Sequence, residues 1–237
     1  MISNNPPERR KRRNRDHHGN RPVGSSPLAI QHQIGVTSMA TKPCRPTPVP
    51  AICGAIKRGE CASLKELVAD FLMRYIGCIQ DEEQMFRRMP SLDLAIHHVA
   101  MATDENDKCF DHQRRITQRA RRSAKKMLIE GRGRLKSCKT FDQLHALFEE
   151  LLGPIEGIGT LYIYDAALRM GAYLRLSPKR VYLHAGTRDG AKALGLDHGR
   201  KYLDRAELPQ ELRTLGADQV ESFLCIYKDR LSPGIAG

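Results

Sequence analysis

The sequence predicts an all-α protein, a compact multi-helix domain preceded by a basic tail. From about residue 62 onward, apolar residues recur at helical spacing in one segment after another, and no long stretch alternates with period two. Aromatic residues make up 5% and tryptophan is absent, so the core has to come mainly from Leu, Ile, Ala and Met, which suit packed helices better than strands. Residues 1–50 carry no apolar period. The expected organisation is therefore a disordered, basic, Pro-rich tail at 1–60 and an all-helical domain at 61–231.

The tail holds the run Arg9-Arg10-Lys11-Arg12-Arg13-Asn14-Arg15, a composition that suits loose contact with nucleic acid or a nuclear signal, or simply a solvated segment. Pro43, Pro46, Pro48 and Pro50 keep it extended. Met39 offers a second candidate start, because nothing before it looks able to join a core.

The helices announce themselves in order. Ser63-Leu64-Lys65-Glu66 has the form of a capping box, and Leu64, Leu67, Val68, Phe71, Leu72, Tyr75 and Ile76 follow at helical spacing. A short second helix is expected over Asp81–Arg88, stopped by Met89-Pro90. Ser91 opens a third, with Leu92, Ala95, Ile96 and Val99 on one face. The next has a buried stripe of Ile116, Ala120, Ala124, Met127 and Leu128, broken by Gly131-Arg132-Gly133-Arg134. Thr140-Phe141-Asp142-Gln143 is a second capping box, leading Phe141, Leu144, Leu147, Phe148, Leu151 and Leu152 up to Gly153-Pro154. Leu161–Leu174 resumes a helix. Ser177-Pro178 reads as a helix start, Arg180–His184 as a buried turn or extended segment, and Gly186–Gly195 as a further helix. Pro209–Leu215 and Ala217–Leu231 read as the last two helices.

Charge narrows the partner. The chain carries +12, of which residues 1–38 hold seven basic and two acidic groups, so +7 lies beyond them. Arg114 to Lys139 holds eleven Lys/Arg against the single acid Glu130. Solvated helix faces usually mix both signs, so Arg114, Arg115, Arg119, Arg121, Arg122, Lys125 and Lys126 read as a surface for phosphates. Seven cysteines with no C-x-x-C pair argue against a disulfide framework and a ribbon-type zinc site, and favour a reducing, cytoplasmic setting. No apolar run is long enough to cross a membrane.

Between the two amphipathic patterns lies Ile155-Glu156-Gly157-Ile158-Gly159-Thr160. Glycine closes a turn at positive φ without a Cβ penalty, and the next helix then opens with free amides that suit a phosphate oxygen. Gly157, Gly159 and Thr160 are the expected contacts; the plainer reading is a Gly-containing turn between two helices. Residues 141–174 resemble the helix-hairpin-helix superfamily and, more loosely, the DNA glycosylases built on it. The resemblance implies DNA as partner.

The resemblance does not carry glycosylase chemistry with it. Bifunctional members place a Schiff-base lysine two residues after the second hairpin glycine, where this chain has Leu161, and Tyr182 stands where the catalytic aspartate belongs. The four-cysteine cluster loop of some members is absent as well. A nucleic-acid binder is therefore expected first. The alternatives are a repair-like enzyme with an unidentified catalytic group, with Asp165 and His184 as candidates, and a helical protein-interaction module. No cofactor and no metal are expected. Cys109-x-x-His112 with His97 and His98 resembles a ligand set too loosely. Arg169 and Arg175 read as phosphate contacts or solvated charges.

Overall fold

The structure is a computed structural model that describes residues 63–235. The expectations for the tail, its basic run and Met39 lie outside those residues. Among the described residues the chain is mostly helical, with one sheet of two short strands.

α1 (Leu64–Arg74) begins at the expected capping box: the Ser63 hydroxyl accepts from the Glu66 amide and the Glu66 carboxylate accepts from the Ser63 amide. The apolar spacing predicts one helix through Ile76, but Tyr75 interrupts it and α2 (Ile76–Arg87) starts at once, ahead of the expected Asp81. α3 (Leu92–Met101) is capped by Ser91 and closed by Ala102 at a φ of 51°. α4 (Gln118–Glu130) starts at Thr117, whose hydroxyl accepts from the Ala120 amide. Only Gly131 interrupts there; Arg132 to Arg134, expected to break the helix, open α5 (Arg132–Ser137) instead.

α6 (Phe141–Leu152) buries all six residues of its expected stripe. Its box is offset: Gln143 accepts from the Lys139 amide rather than from Thr140. α7 (Thr160–Leu174) is the helix on which the domain is assembled. It buries Tyr162, Ile163, Tyr164, Ala166, Ala167, Arg169, Met170, Gly171 and Ala172, so it is enclosed on most sides rather than along one stripe. It packs against α6, α2 and α3, and the Tyr162 hydroxyl donates to the Ala100 carbonyl.

Ser177-Pro178 opens no helix; the chain runs extended into β1 (Val181–Tyr182). β1 pairs antiparallel with β2 (Tyr202–Leu203), Val181 opposite Leu203 and Tyr182 opposite Tyr202. α8 (Ala185–Ala193) lies between them. Pro209–Leu215 forms only a single 3-10 turn at Leu212–Thr214, and α9 (Ala217–Tyr227) stops short of the expected Leu231.

Two apolar clusters result. One joins α3, α4, α6 and α7; the other joins α1, α8, α9 and the strands. α1 is tied to α9 by Tyr227, whose hydroxyl donates to Asp70 at 2.6 Å. α6 is tied to β1 by Asp142, which accepts from Tyr182 and from Arg180.

α8 approaches α9 through Gly190, where a Cβ would run into the Leu224 carbonyl. Gly190→Ala is expected to cost about 1–3 kcal/mol by overpacking. Gly77, inside α2 with open space around it, is expected to gain about 0.5–1 kcal/mol on change to Ala. Urea unfolding of the two variants measures both signs.

Candidate functional site

Two features stand out, and α7 carries part of each. The first is its start. α6 ends at Leu152, and the chain then turns through Gly153 to Gly159. Gly157 has a φ of 84°, open to glycine but not to most residues. It lies in this connection and not at the helix C-cap, which is Gly153 at a φ of −55°. Gly159 is extended at a φ of −105°, and a Cβ there would meet nothing within 4 Å. No side chain caps α7. The first of its amides to find a backbone acceptor is that of Ile163, on the Gly159 carbonyl, so those of Gly159, Thr160, Leu161 and Tyr162 find none among the described residues.

Each end of α4 connects to one of the two helices that flank this turn. At its far end, Gly131 is in contact with Leu151, in the last turn of α6. At its near end, His112 and Gln113 reach Asp165 on α7, and Arg114 and Arg115 come next in the chain. Arg115, Arg119, Arg122, Arg132 and Lys136 are exposed, and no ion pair engages them among the described residues. The remaining basic groups are partly committed. Arg114 pairs with Asp111 at 2.7 Å, and Lys126 lies 4.0 Å from Glu130. Arg121 and Lys125 are half-buried: Arg121 donates to the Gln113 carbonyl, and Lys125 donates to His97 Nδ1, each at 2.8 Å. The expected seven-residue surface is thus smaller at Arg121 and Lys125 and extends further along α5.

The second feature is a cavity of about 380 Å³ between α2, α7 and α9. Leu161, Leu168, Ala172, Ile79 and Ile226 give it apolar walls, and Glu82, Glu83, Asp165, Asp218 and Glu221 supply carboxylates. Arg169 is not a solvated charge or a surface contact. It is 4% exposed, bonds Glu82 through Nε at 2.7 Å, and lies 4.1 Å over the Phe110 ring, while its Nη1 has no partner. Arg175, the left-handed cap of α7, donates to the Arg87 carbonyl at 3.3 Å.

Of the two catalytic candidates, Asp165 lines this cavity. Burial opposes its charge, but bonds from His112, at 3.0 Å, and Gln113, with the Arg169 charge, prevail and hold its carboxyl below the usual range. His184 does not line the cavity. It is buried at the start of α8, where its amide donates to the Thr187 hydroxyl, and its Nε2 is bonded to Glu221, which does line it. Burial pushes the Glu221 carboxyl up, against the His184 bond. Burial also raises Asp218, and the neighbouring Glu83 charge adds to this. Sequence reasoning missed Glu82, Gln113, Asp218 and Glu221, since each is remote in the chain from the α7 residues that give it meaning.

The loose Cys109–His112 pair is not joined. His112 turns to Asp165, and the Cys109 thiol donates to the Phe110 carbonyl. Cys109, Cys138 and Cys225 are free thiols, and Cys78 is disulfide-bonded.

The opposite shifts predict opposite variants. A depressed carboxyl contributes stability that is present above its unfolded pKa of about 3.9 and lost as pH falls through the folded value. Asp165→Asn is therefore expected to lower the melting temperature at pH 7, with the deficit closing only below about pH 4. Asp218, raised, is destabilising when charged, so Asp218→Asn is expected to raise the melting temperature at pH 7 and lose that gain as pH falls toward about 4. Melting curves across pH read both.

No protein-family model, curated protein or solved structure matches this chain, so its function has to be argued from the side chains themselves.

Proposed function

We propose that this chain binds nucleic acid, with DNA as the preferred form, through a helix-hairpin-helix formed by α6, the Gly153–Gly159 turn and α7. The observation that carries the reading is the start of α7: open amides at Gly159, Thr160 and Leu161, no capping side chain, and free space where a Cβ at Gly159 would stand. A helix N-terminus of this kind presents N–H groups and the positive dipole end to a phosphate oxygen. Arg115, Arg119, Arg122, Arg132 and Lys136 supply the sequence-independent attraction.

A second reading is favoured by one observation. Leu161 both stands in the first turn of α7 and lines the cavity, so a strand held at the turn would lie beside a pocket containing Asp165 and Glu221. In that reading the chain is a repair-like enzyme acting on damaged bases. Leu161 excludes a Schiff-base step, leaving a carboxylate of the pocket to activate water.

Gly159→Val is expected to lower DNA affinity while leaving the melting temperature unchanged, because valine accepts the extended backbone found there. Gly157→Ala is expected to cost about 1 kcal/mol or more, because alanine has to take a positive φ. Replacing Arg115, Arg119 and Arg122 with Gln is expected to flatten the salt dependence of binding by about one unit per lost phosphate contact. Wild-type affinity in a folded Gly159→Val protein would remove the turn from the binding surface. Turnover of duplexes carrying damaged or missing bases, abolished in Asp165→Asn or Glu221→Gln, would establish the second reading.

A further inference from the structure

His97 and His98 are consecutive on α3, and the turn after that helix folds back over them. The turn is tied internally. Asp104 Oδ1 accepts from the amides of Asn106 and Lys108, each at 2.9 Å, and Thr103 bridges to Cys109. Asp107 sits at a φ of 58°, which aspartate tolerates better than most residues. Its Oδ1 lies 3.3 Å from His97 Nε2 and 3.9 Å from His98 Nδ1, and one ligand atom from each of the three lies within 4.8 Å of the others. Ligands about 2.0–2.1 Å from a tetrahedral zinc ion stand roughly 3.3 Å from one another. The three side chains are therefore close to ligand spacing without rearrangement of the backbone.

We propose that His97, His98 and Asp107 form a site for a divalent transition metal ion of the zinc type. Two imidazoles and one carboxylate favour zinc, cobalt or nickel over magnesium or calcium, and leave a fourth position to water. His98 is buried, which holds its ring in place beside the Asp107 carboxylate. Its Nδ1 lies 3.0 Å from the Thr103 hydroxyl, which can rotate its proton away.

Lys125 is the competitor. Its Nζ stands 2.8 Å from His97 Nδ1, so in the metal-free protein the ammonium donates to that nitrogen and the ring proton sits on Nε2, facing Asp107. An incoming ion takes the Nε2 lone pair. The proton moves to Nδ1, where it meets the ammonium, and Lys125 swings away. Removal of Lys125 therefore tightens the site, whereas an ordinary structural contact would only be lost.

The test is titration of the full chain with Zn²⁺ by calorimetry and with Co²⁺ by visible absorption. His17, His18 and the tail cysteines are potential ligands of their own, so the titrations are made in a His17→Ala/His18→Ala chain, which keeps the proposed site. One equivalent is expected there, weakened more than about 100-fold when His97→Ala or Asp107→Asn is added, beyond the usual effect of losing an outer-shell partner. Both positions are at least a third exposed, so these variants are expected to keep the wild-type melting temperature without metal. His112→Ala is expected to bind as wild type, and Lys125→Met more tightly. The proposal is overturned if the His17→Ala/His18→Ala chain takes up no ion, if folded His97→Ala and Asp107→Asn bind equally well, or if Lys125→Met leaves affinity unchanged.

Discussion

The buried guanidinium of Arg169 is the constraint around which the domain is arranged. α7 is apolar on most of its surface, so it sits inside, and it takes this one permanent cation with it. A buried charge is tolerated only with partners, and removing one partner of such a pair costs about 3–5 kcal/mol. Glu82 supplies a carboxylate from α2, Asp165 supplies another one turn earlier on α7, and Phe110 covers the group with its ring. Bringing those partners in fixes α2 and the Phe110–Gln113 turn against α7. The same move builds two walls of the cavity, so the fold and the pocket share one electrostatic cause.

The helices were legible because their information is local. The stripe of α6 and the caps at Ser63, Ser91 and Thr140 depend on neighbours within four residues, and all appear where the spacing puts them. Arg169 was not legible. Its long stem suits a helix surface as well as an interior, and nothing near it in sequence announces Glu82, 87 residues away. The partner of His184 was hidden for a related reason. A histidine in an apolar run looks free to act as acid or base until Glu221, 37 residues on, is found bonded to its ring. Ser177-Pro178 has the composition of a helix start, but β1 pairs with β2 just beyond it, and that tertiary pairing wins over the local signal.

The basic surface was legible in part. Eleven bases against one acid gave its sign and its place, and the open space at Gly159 agrees with the glycine argument. The share of those charges available to a ligand depends on partners that periodicity does not reveal. Arg121 and Lys125 satisfy groups of the protein itself, at Gln113 and His97, whereas Arg132 and Lys136, past the expected break at Gly131, lie exposed on a helix.

The outside and the inside of this domain therefore differ in sign. The exposed bases of α4 and α5 make a positive surface, but the cavity beside α7 is lined by five carboxylates against Arg169 and His112. A phosphate entering it would face an excess of like charge in a low-dielectric setting, where repulsion is strongest. The cavity is thus better suited to an uncharged or cationic group than to an anion. Asp218 and Glu221 push the same way, since the burial that raises their carboxyls also makes a further negative charge beside them costly. On the nucleic-acid reading proposed above, such a division would let one small domain grip a backbone by charge and examine a neutral moiety by shape and hydrogen bonding, with α7 opening at the turn and lining the cavity.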